Sequence, residues 1–231
     1  MNFLDSNGDF MFYLNWGLTI GYIVSLVLLI YQVKWAWLIL LVESLWNVFG
    51  FYFLYGDDNF FGLSRFEYFI SISTIANLLL SGFLIWGFIQ WLKKTNQTQI
   101  AISSSSDVLD DFGYKTITTI NKLSTDSIKK VVRLGGLLLI GLIAWSTIIE
   151  GDQLGYTKIS ICLIWTLYII GFYLLSQHYR EGWFLLIGTI LLSNILLGFS
   201  LRNFTFYWFL KLALATWGYI YWKRLNIASQ E

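Results

Sequence analysis

Seven apolar runs, each close to the length of a membrane-crossing helix, govern what this chain can fold into: Leu14 to Tyr31, Trp35 to Tyr55, Phe66 to Leu92, Val131 to Gly151, Ile159 to Tyr179, Trp183 to Ser200 and Phe204 to Tyr221. A helix needs about 20 mainly apolar residues to cross a hydrocarbon core about 30 Å thick. With 57% of its 231 residues hydrophobic and 13% charged, the chain reads as an all-α polytopic membrane protein with seven transmembrane helices. A membrane β-barrel needs alternating segments of about ten residues, and the unbroken runs argue against one. No basic residue precedes the first run and no small-residue cleavage pattern follows it, so it is expected to be a retained helix.

Two stretches close in nearly the same words. Trp86-Gly87-Phe88-Ile89-Gln90-Trp91-Leu92-Lys93 ends the third run, and Trp217-Gly218-Tyr219-Ile220-Tyr221-Trp222-Lys223-Arg224 ends the seventh. That repetition reads as a duplicated three-helix unit, with the fourth run as the odd connector that makes the second triplet parallel to the first, a 3+1+3 plan. The expected organisation is residues 1–92 as the first bundle, 93–130 as a cytoplasmic linker, 131–151 as the connecting helix, and 152–231 as the second bundle with a short tail. Within the linker, the spacing from Asp107 onward predicts a short surface helix capped by Ser106.

Basic residues favour cytoplasmic loops. With the amino terminus outside, the inner loops hold Lys34, Lys93, Lys94, Lys115, Lys122, Lys129, Lys130, Arg133, Arg180, Lys223 and Arg224, against Arg65, Lys158 and Arg202 outside. The expected placement is the plasma (inner) membrane, amino terminus out and carboxyl terminus in.

At these turns the sequence resembles the PnuC-type nicotinamide riboside and vitamin transporters, which share a 3+1+3 plan with the sugar-transporting SWEET proteins. His178-Tyr179-Arg180-Glu181-Gly182-Trp183 stands where that family turns into its sixth helix, and Gly218-Tyr219-Ile220-Tyr221-Trp222 matches its closing Gly-x-x-x-Trp. Gln32-Val33-Lys34-Trp35-Ala36-Trp37 and Trp86 to Trp91 occupy the corresponding places of the first half, and the likeness is strongest over residues 157–224. The resemblance implies a facilitator that passes a vitamin or nucleoside-like compound by alternating access, with a cytoplasmic kinase trapping the substrate. Leu186 and Ile190 stand where the family has a second Trp and a polar side chain, which points away from nicotinamide riboside itself.

Independently of any family, polar residues inside apolar runs are the best functional candidates, because an ionised group at the bilayer centre costs several kcal/mol. Glu43 and Lys211 stand out, and a shared cavity would let them pair. Asn47 shares the face of Glu43 one turn on, Asn194 occupies nearly the same place in the second repeat, and Tyr207 precedes Lys211 by one turn. With Trp183, these form the candidate substrate-binding set; Asn77 is expected to hydrogen-bond a neighbouring helix. Trp16, Trp35, Trp37, Trp91, Trp183 and Trp222 are read as interfacial anchors, and Trp46, Trp86, Trp145, Trp165 and Trp217 as available to stack on a planar ligand.

No catalytic set is expected. Cys162 and His178 are solitary, no metal-ligand spacing and no phosphate-binding loop is present, and the lysine pairs are too sparse for a nucleic-acid surface. The expected partners are a small-molecule substrate and the lipid bilayer, with a homo-oligomer allowed, and no cofactor or metal. A second class of reading takes Lys211 as the Schiff-base lysine of a retinal protein, with retinal as cofactor and Glu67, in Arg65-Phe66-Glu67-Tyr68, as counter-ion. A third is a non-transporting membrane subunit or receptor.

Overall fold

Helices follow all seven apolar runs. A computed structural model describes residues 3–54, 71–104, 123–150, 156–196 and 206–228. Its helices are α1 (Phe3–Ile30), α2 (Ala36–Leu54), α3 (Ile72–Ser104), α4 (Thr125–Glu150), α5 (Tyr156–Ser176), α6 (Glu181–Leu196) and α7 (Phe206–Ala228). Serines start two of them. The Ser71 hydroxyl accepts from the Thr74 amide at 3.4 Å, and the Ser124 hydroxyl from the Ser127 amide at 3.2 Å, each satisfying an otherwise unpaired first-turn donor.

Helical structure extends into both edges of the expected linker, because α3 continues through Ser104 and α4 begins at Thr125 rather than Val131. The short helix expected from Asp107 lies outside the described residues.

The turns α1–α2 and α5–α6 are built alike. Gln32 and His178 both adopt left-handed backbone, at φ 58° and 59°. Around each runs the same pair of bonds: the Gln32 amide donates to Leu29 and the Val33 amide to Leu28, while the His178 amide donates to Leu175 and the Tyr179 amide to Leu174. This is the Schellman closure, which satisfies the last carbonyls of a helix and normally uses glycine at the left-handed position. Here two bulky residues 146 positions apart take it.

Side chains repeat the same rule. Trp37 is fully buried against Gly87 and meets Trp91 edge-on at 5.5 Å; Trp183 is fully buried against Gly218 and meets Trp222 edge-on at 5.8 Å. Four of the six tryptophans read as interfacial anchors, Trp37, Trp91, Trp183 and Trp222, are therefore core residues. The indoles wedge each turn onto the last helix of its own triplet, and the glycines exist because a Cβ there would strike the ring. Exposed Trp16 and Trp35 keep the position an anchor would have.

Helix contacts close a ring in the order α1, α2, α3, α5, α6, α7 and back to α1. The two junctions between triplets are α3 with α5 and α7 with α1, so each first helix meets the third helix of the other half. At the second junction the Trp222 indole N–H donates to the Ile30 carbonyl at 3.0 Å. Helix α4 stands outside, against α5 and more lightly α3, where Leu142 joins Ile72, Ala76 and Cys162 in a small core.

Among the described residues, Ile72–Lys93, Thr125–Ile148 and Lys158–Ser176 are long and apolar enough to cross a membrane; Trp16–Ile30, Ala36–Phe49 and Glu181–Ile195 are shorter apolar helices. The outer surface carries large apolar side chains such as Val42, Val132, Leu137, Ile140, Phe184 and Ile195.

Candidate functional site

A cavity of about 200 Å³ lies inside the ring and is lined by all six of its helices. Equivalent positions of the two halves supply much of the wall. An offset of 146 relates Glu43, Ser44 and Asn47 on α2 to Thr189, Ile190 and Ser193 on α6, and it also relates Tyr22 on α1 to Tyr168 on α5. An offset of 131 relates Asn77 and Leu80 on α3 to Trp208 and Lys211 on α7. Across the ring the Tyr168 hydroxyl donates to the Tyr22 hydroxyl at 3.0 Å, so two equivalent residues touch each other.

The backbone positions match but the chemistry does not. Apart from the two tyrosines, the first half contributes an acid, amides and the Ser44 hydroxyl, and the second a base, the Thr189 and Ser193 hydroxyls and indoles. Glu43 and Lys211 line the same cavity, half-buried, and their opposite charges act on one another. The Lys211 ammonium lies 4.2 Å from the centroid of the Tyr22 ring and 5.1 Å from that of Trp208, within cation–π range of both. Apolar Leu40, Leu80, Leu84 and Phe172 share the wall with these two residues, and the lower local polarity strengthens attraction between the charges.

A hydroxyl and amide network braces the acidic side. The Ser44 hydroxyl donates to the Asn77 carbonyl at 2.9 Å, and the Ser81 hydroxyl lies 2.8 Å from that carbonyl and 3.0 Å from Ser44. The Asn77 amide donates back to the Ser73 carbonyl at 2.9 Å. These bonds tie α2 to α3 and fix Asn77 as both a cavity wall and an interhelical link. On α6, Thr189 and Ser193 donate to carbonyls of their own helix, leaving their oxygens as acceptors facing the cavity.

Of the sequence candidates, Glu43, Asn47 and Lys211 come together here. Asn194 does not line the cavity, and its amide donates to the Ile190 carbonyl at 2.8 Å. Its neighbour Ser193 is the true counterpart of Asn47, so alignment on the asparagines is one residue out, a rotation of about 100° around the helix. Trp183 also lies apart from the cavity, in the turn described above. The side chain of Tyr207 and the whole of Glu67 lie outside the described residues. Among the stacking candidates Trp165 lines the cavity, whereas Trp46, Trp86, Trp145 and Trp217 do not; Trp86 stacks on Tyr173 at 5.5 Å. Tyr22, Tyr168 and Trp208 escaped sequence reasoning because apolar runs here are full of aromatics. The 146-residue offset between Tyr22 and Tyr168 was the signal that could have found two of them.

The architecture has a counterpart among solved structures. The crystal structure of the vitamin B3 transporter PnuC matches 91% of this chain and 80% of its own length, with a TM-score of 0.59 and 17% identity. This chain shares its fold with that transporter. The likeness to PnuC extends across both triplets, well beyond the turns that carry the sequence resemblance. No family model and no curated protein matches the chain.

Proposed function

We propose that the protein is a seven-helix membrane carrier that binds a small water-soluble metabolite in the ring cavity and exposes it alternately to the two sides by rocking α1–α3 against α5–α7. The observation that carries this reading is the cavity itself, whose wall is drawn from equivalent positions of two like halves, with opposite charges on opposite halves. The shared fold with a vitamin B3 transporter supports it, and so does the apolar outer surface, which suits lipid better than water. In this reading residues 1–92 and 152–231 are the parallel triplets, 131–151 the connector and 93–130 the cytoplasmic linker, with the amino terminus outside the plasma membrane as the basic residues imply. No nucleotide drives the cycle. The gradient is maintained by consumption of the substrate inside, as by a cytoplasmic kinase.

Glu43, Asn47, Asn77 and Lys211 hold the substrate, with Trp165 and Trp208 as flat walls. Trp183 serves the α5–α6 turn instead. The test is uptake into proteoliposomes of compounds that first stabilise the detergent-purified protein in a panel of vitamins, nucleosides, sugars and amino acids. A selective ligand at a hundredfold excess over its Kd stabilises by about 2.7 kcal/mol. Glu43→Gln and Lys211→Met are each expected to reduce flux at least about tenfold while leaving a folded, monodisperse protein. Normal flux in both variants would remove the cavity from the mechanism.

One observation favours a second reading: Lys211 projects among aromatics, as a retinal lysine does. Visible absorbance on adding all-trans retinal, lost in Lys211→Met, would replace the carrier with a photoreceptor. A protein that neither binds nor moves any of these compounds is a subunit or receptor.

A further inference from the structure

The cavity holds one acid and one base on opposite halves of the ring, and this limits the charge of what it accepts. Resting on the carrier reading above, we propose that its ligand is a small zwitterion, whose cationic group pairs with Glu43 and whose anionic group pairs with Lys211.

The rings of Tyr22 and Trp208, with the Glu43 carboxylate nearby, are what an organic cation would seek. The protein's own ammonium already sits there, 4.2 Å from the Tyr22 centroid. A cationic ligand meets the repulsion of Lys211, or takes up the attraction of Glu43 and leaves a half-buried ammonium without its counter-charge. An anion does the same to Glu43. In apolar surroundings an uncompensated charge outweighs the attraction gained, so each singly charged ligand is disfavoured. A neutral ligand leaves the attraction between Glu43 and Lys211 in place and draws nothing from it. Only a ligand carrying both signs replaces each partner's counter-charge.

The placement of the charges gives the zwitterion a second role. Glu43 belongs to α2 and Lys211 to α7, so a zwitterion between them bridges the two triplets and keeps the halves attracted across the ligand. Size agrees, because a cavity of about 200 Å³, below the range usual for drug-sized ligands, suits a molecule of one ring with two substituents. The aromatic residues Trp165 and Phe172 supply faces for that ring.

Two matched sets test this on the whole detergent-purified protein by calorimetric Kd. One is N-methylnicotinate (zwitterion), N-methylnicotinamide (cation) and nicotinate (anion); the other is phenylalanine, its amide and its N-acetyl derivative. In at least one set the zwitterion is expected to bind at least about tenfold tighter than both congeners. Glu43→Gln should then shift preference toward the anion, and Lys211→Met toward the cation. The inference is overturned if a singly charged congener binds as well as its zwitterion in both sets, or if neither zwitterion binds. Zwitterion binding without flux in proteoliposomes would sink the carrier reading and leave the inference standing. Flux of a singly charged compound in preference to both zwitterions would do the reverse.

Discussion

A methyl group placed on Gly218 would stand 2.7 Å from two carbons of the Trp183 indole, and one on Gly87 2.8 Å from Trp37. Neither ring can retreat, since each is fully buried and edge-packed on a second tryptophan. Gly218→Ala and Gly87→Ala are expected to lower stability by about 1–3 kcal/mol each, the usual range for overpacking. Gly82 and Gly188 have open space around the same point, and alanine there should raise stability by about 0.4–1 kcal/mol. Thermal unfolding of the four variants in one detergent checks both signs. Trp183→Phe belongs with the first pair: it should depress the melting temperature while leaving ligand selectivity unchanged, whereas Trp208→Phe should alter affinity. Side chains of this kind explain what was legible at this scale. Glu43 and Lys211 were legible because a charge within an apolar run has few reasons to be there. Tyr22 and Trp208 were not, because they differ in no way, by residue type, from the aromatics that face outward.

Among the elements, the two Schellman turns separate backbone demand from side-chain demand. Gln32 and His178 occupy the same left-handed position, where a residue with a Cβ is disfavoured by about 1–2 kcal/mol. Glycine relieves that cost but adds freedom to the unfolded chain, worth about 0.5–1 kcal/mol. Gln32→Gly should therefore fall within about 1 kcal/mol of the parent. His178→Gly should be clearly destabilised, because the imidazole fills a slot between Trp91, stacked at 4.7 Å, and Trp222 at 6.3 Å. Chemical denaturation or thermal melts of the two variants, side by side, decide this. Helix count and the two turns were readable from hydropathy and from the repeated Trp and Gly spacing. The register between triplets was harder to read. Helices α2 and α6 align at one offset and α3 and α7 at another, because the stretch of chain between matched positions is 15 residues longer in the first half. A guess anchored on Asn47 and Asn194 slips by one residue and turns the wrong face inward.

For the whole molecule, the ring is held by its two junctions as much as by the chain that links the triplets. A protease site inserted between Ser106 and Asp107 and then cleaved should leave both fragments together in size-exclusion chromatography, since α3 still packs on α5 and α7 on α1. Separation of the fragments in mild detergent would show that the covalent link, not the junctions, holds the ring. On the carrier reading, a zwitterionic cargo that moves alone makes transport electroneutral. An imposed potential of 100 mV, worth about 2.3 kcal/mol for each elementary charge moved, should leave its steady-state distribution across proteoliposomes unchanged.

The ring also sets an order in time. Its acid is made early and its base late, 168 residues apart along the chain. At ribosomal speeds of about 5–20 residues per second, roughly ten to thirty seconds pass between them. During that interval the nascent first triplet has one flank of its ring open, with Glu43, Ser44 and Asn77 still without the helices that will enclose them. In a membrane, that exposed polar flank is a mark that quality-control proteases and insertases can read. A chain stopped before α7 is therefore expected to be cleared by the cell, while the finished protein conceals the same residues at its centre.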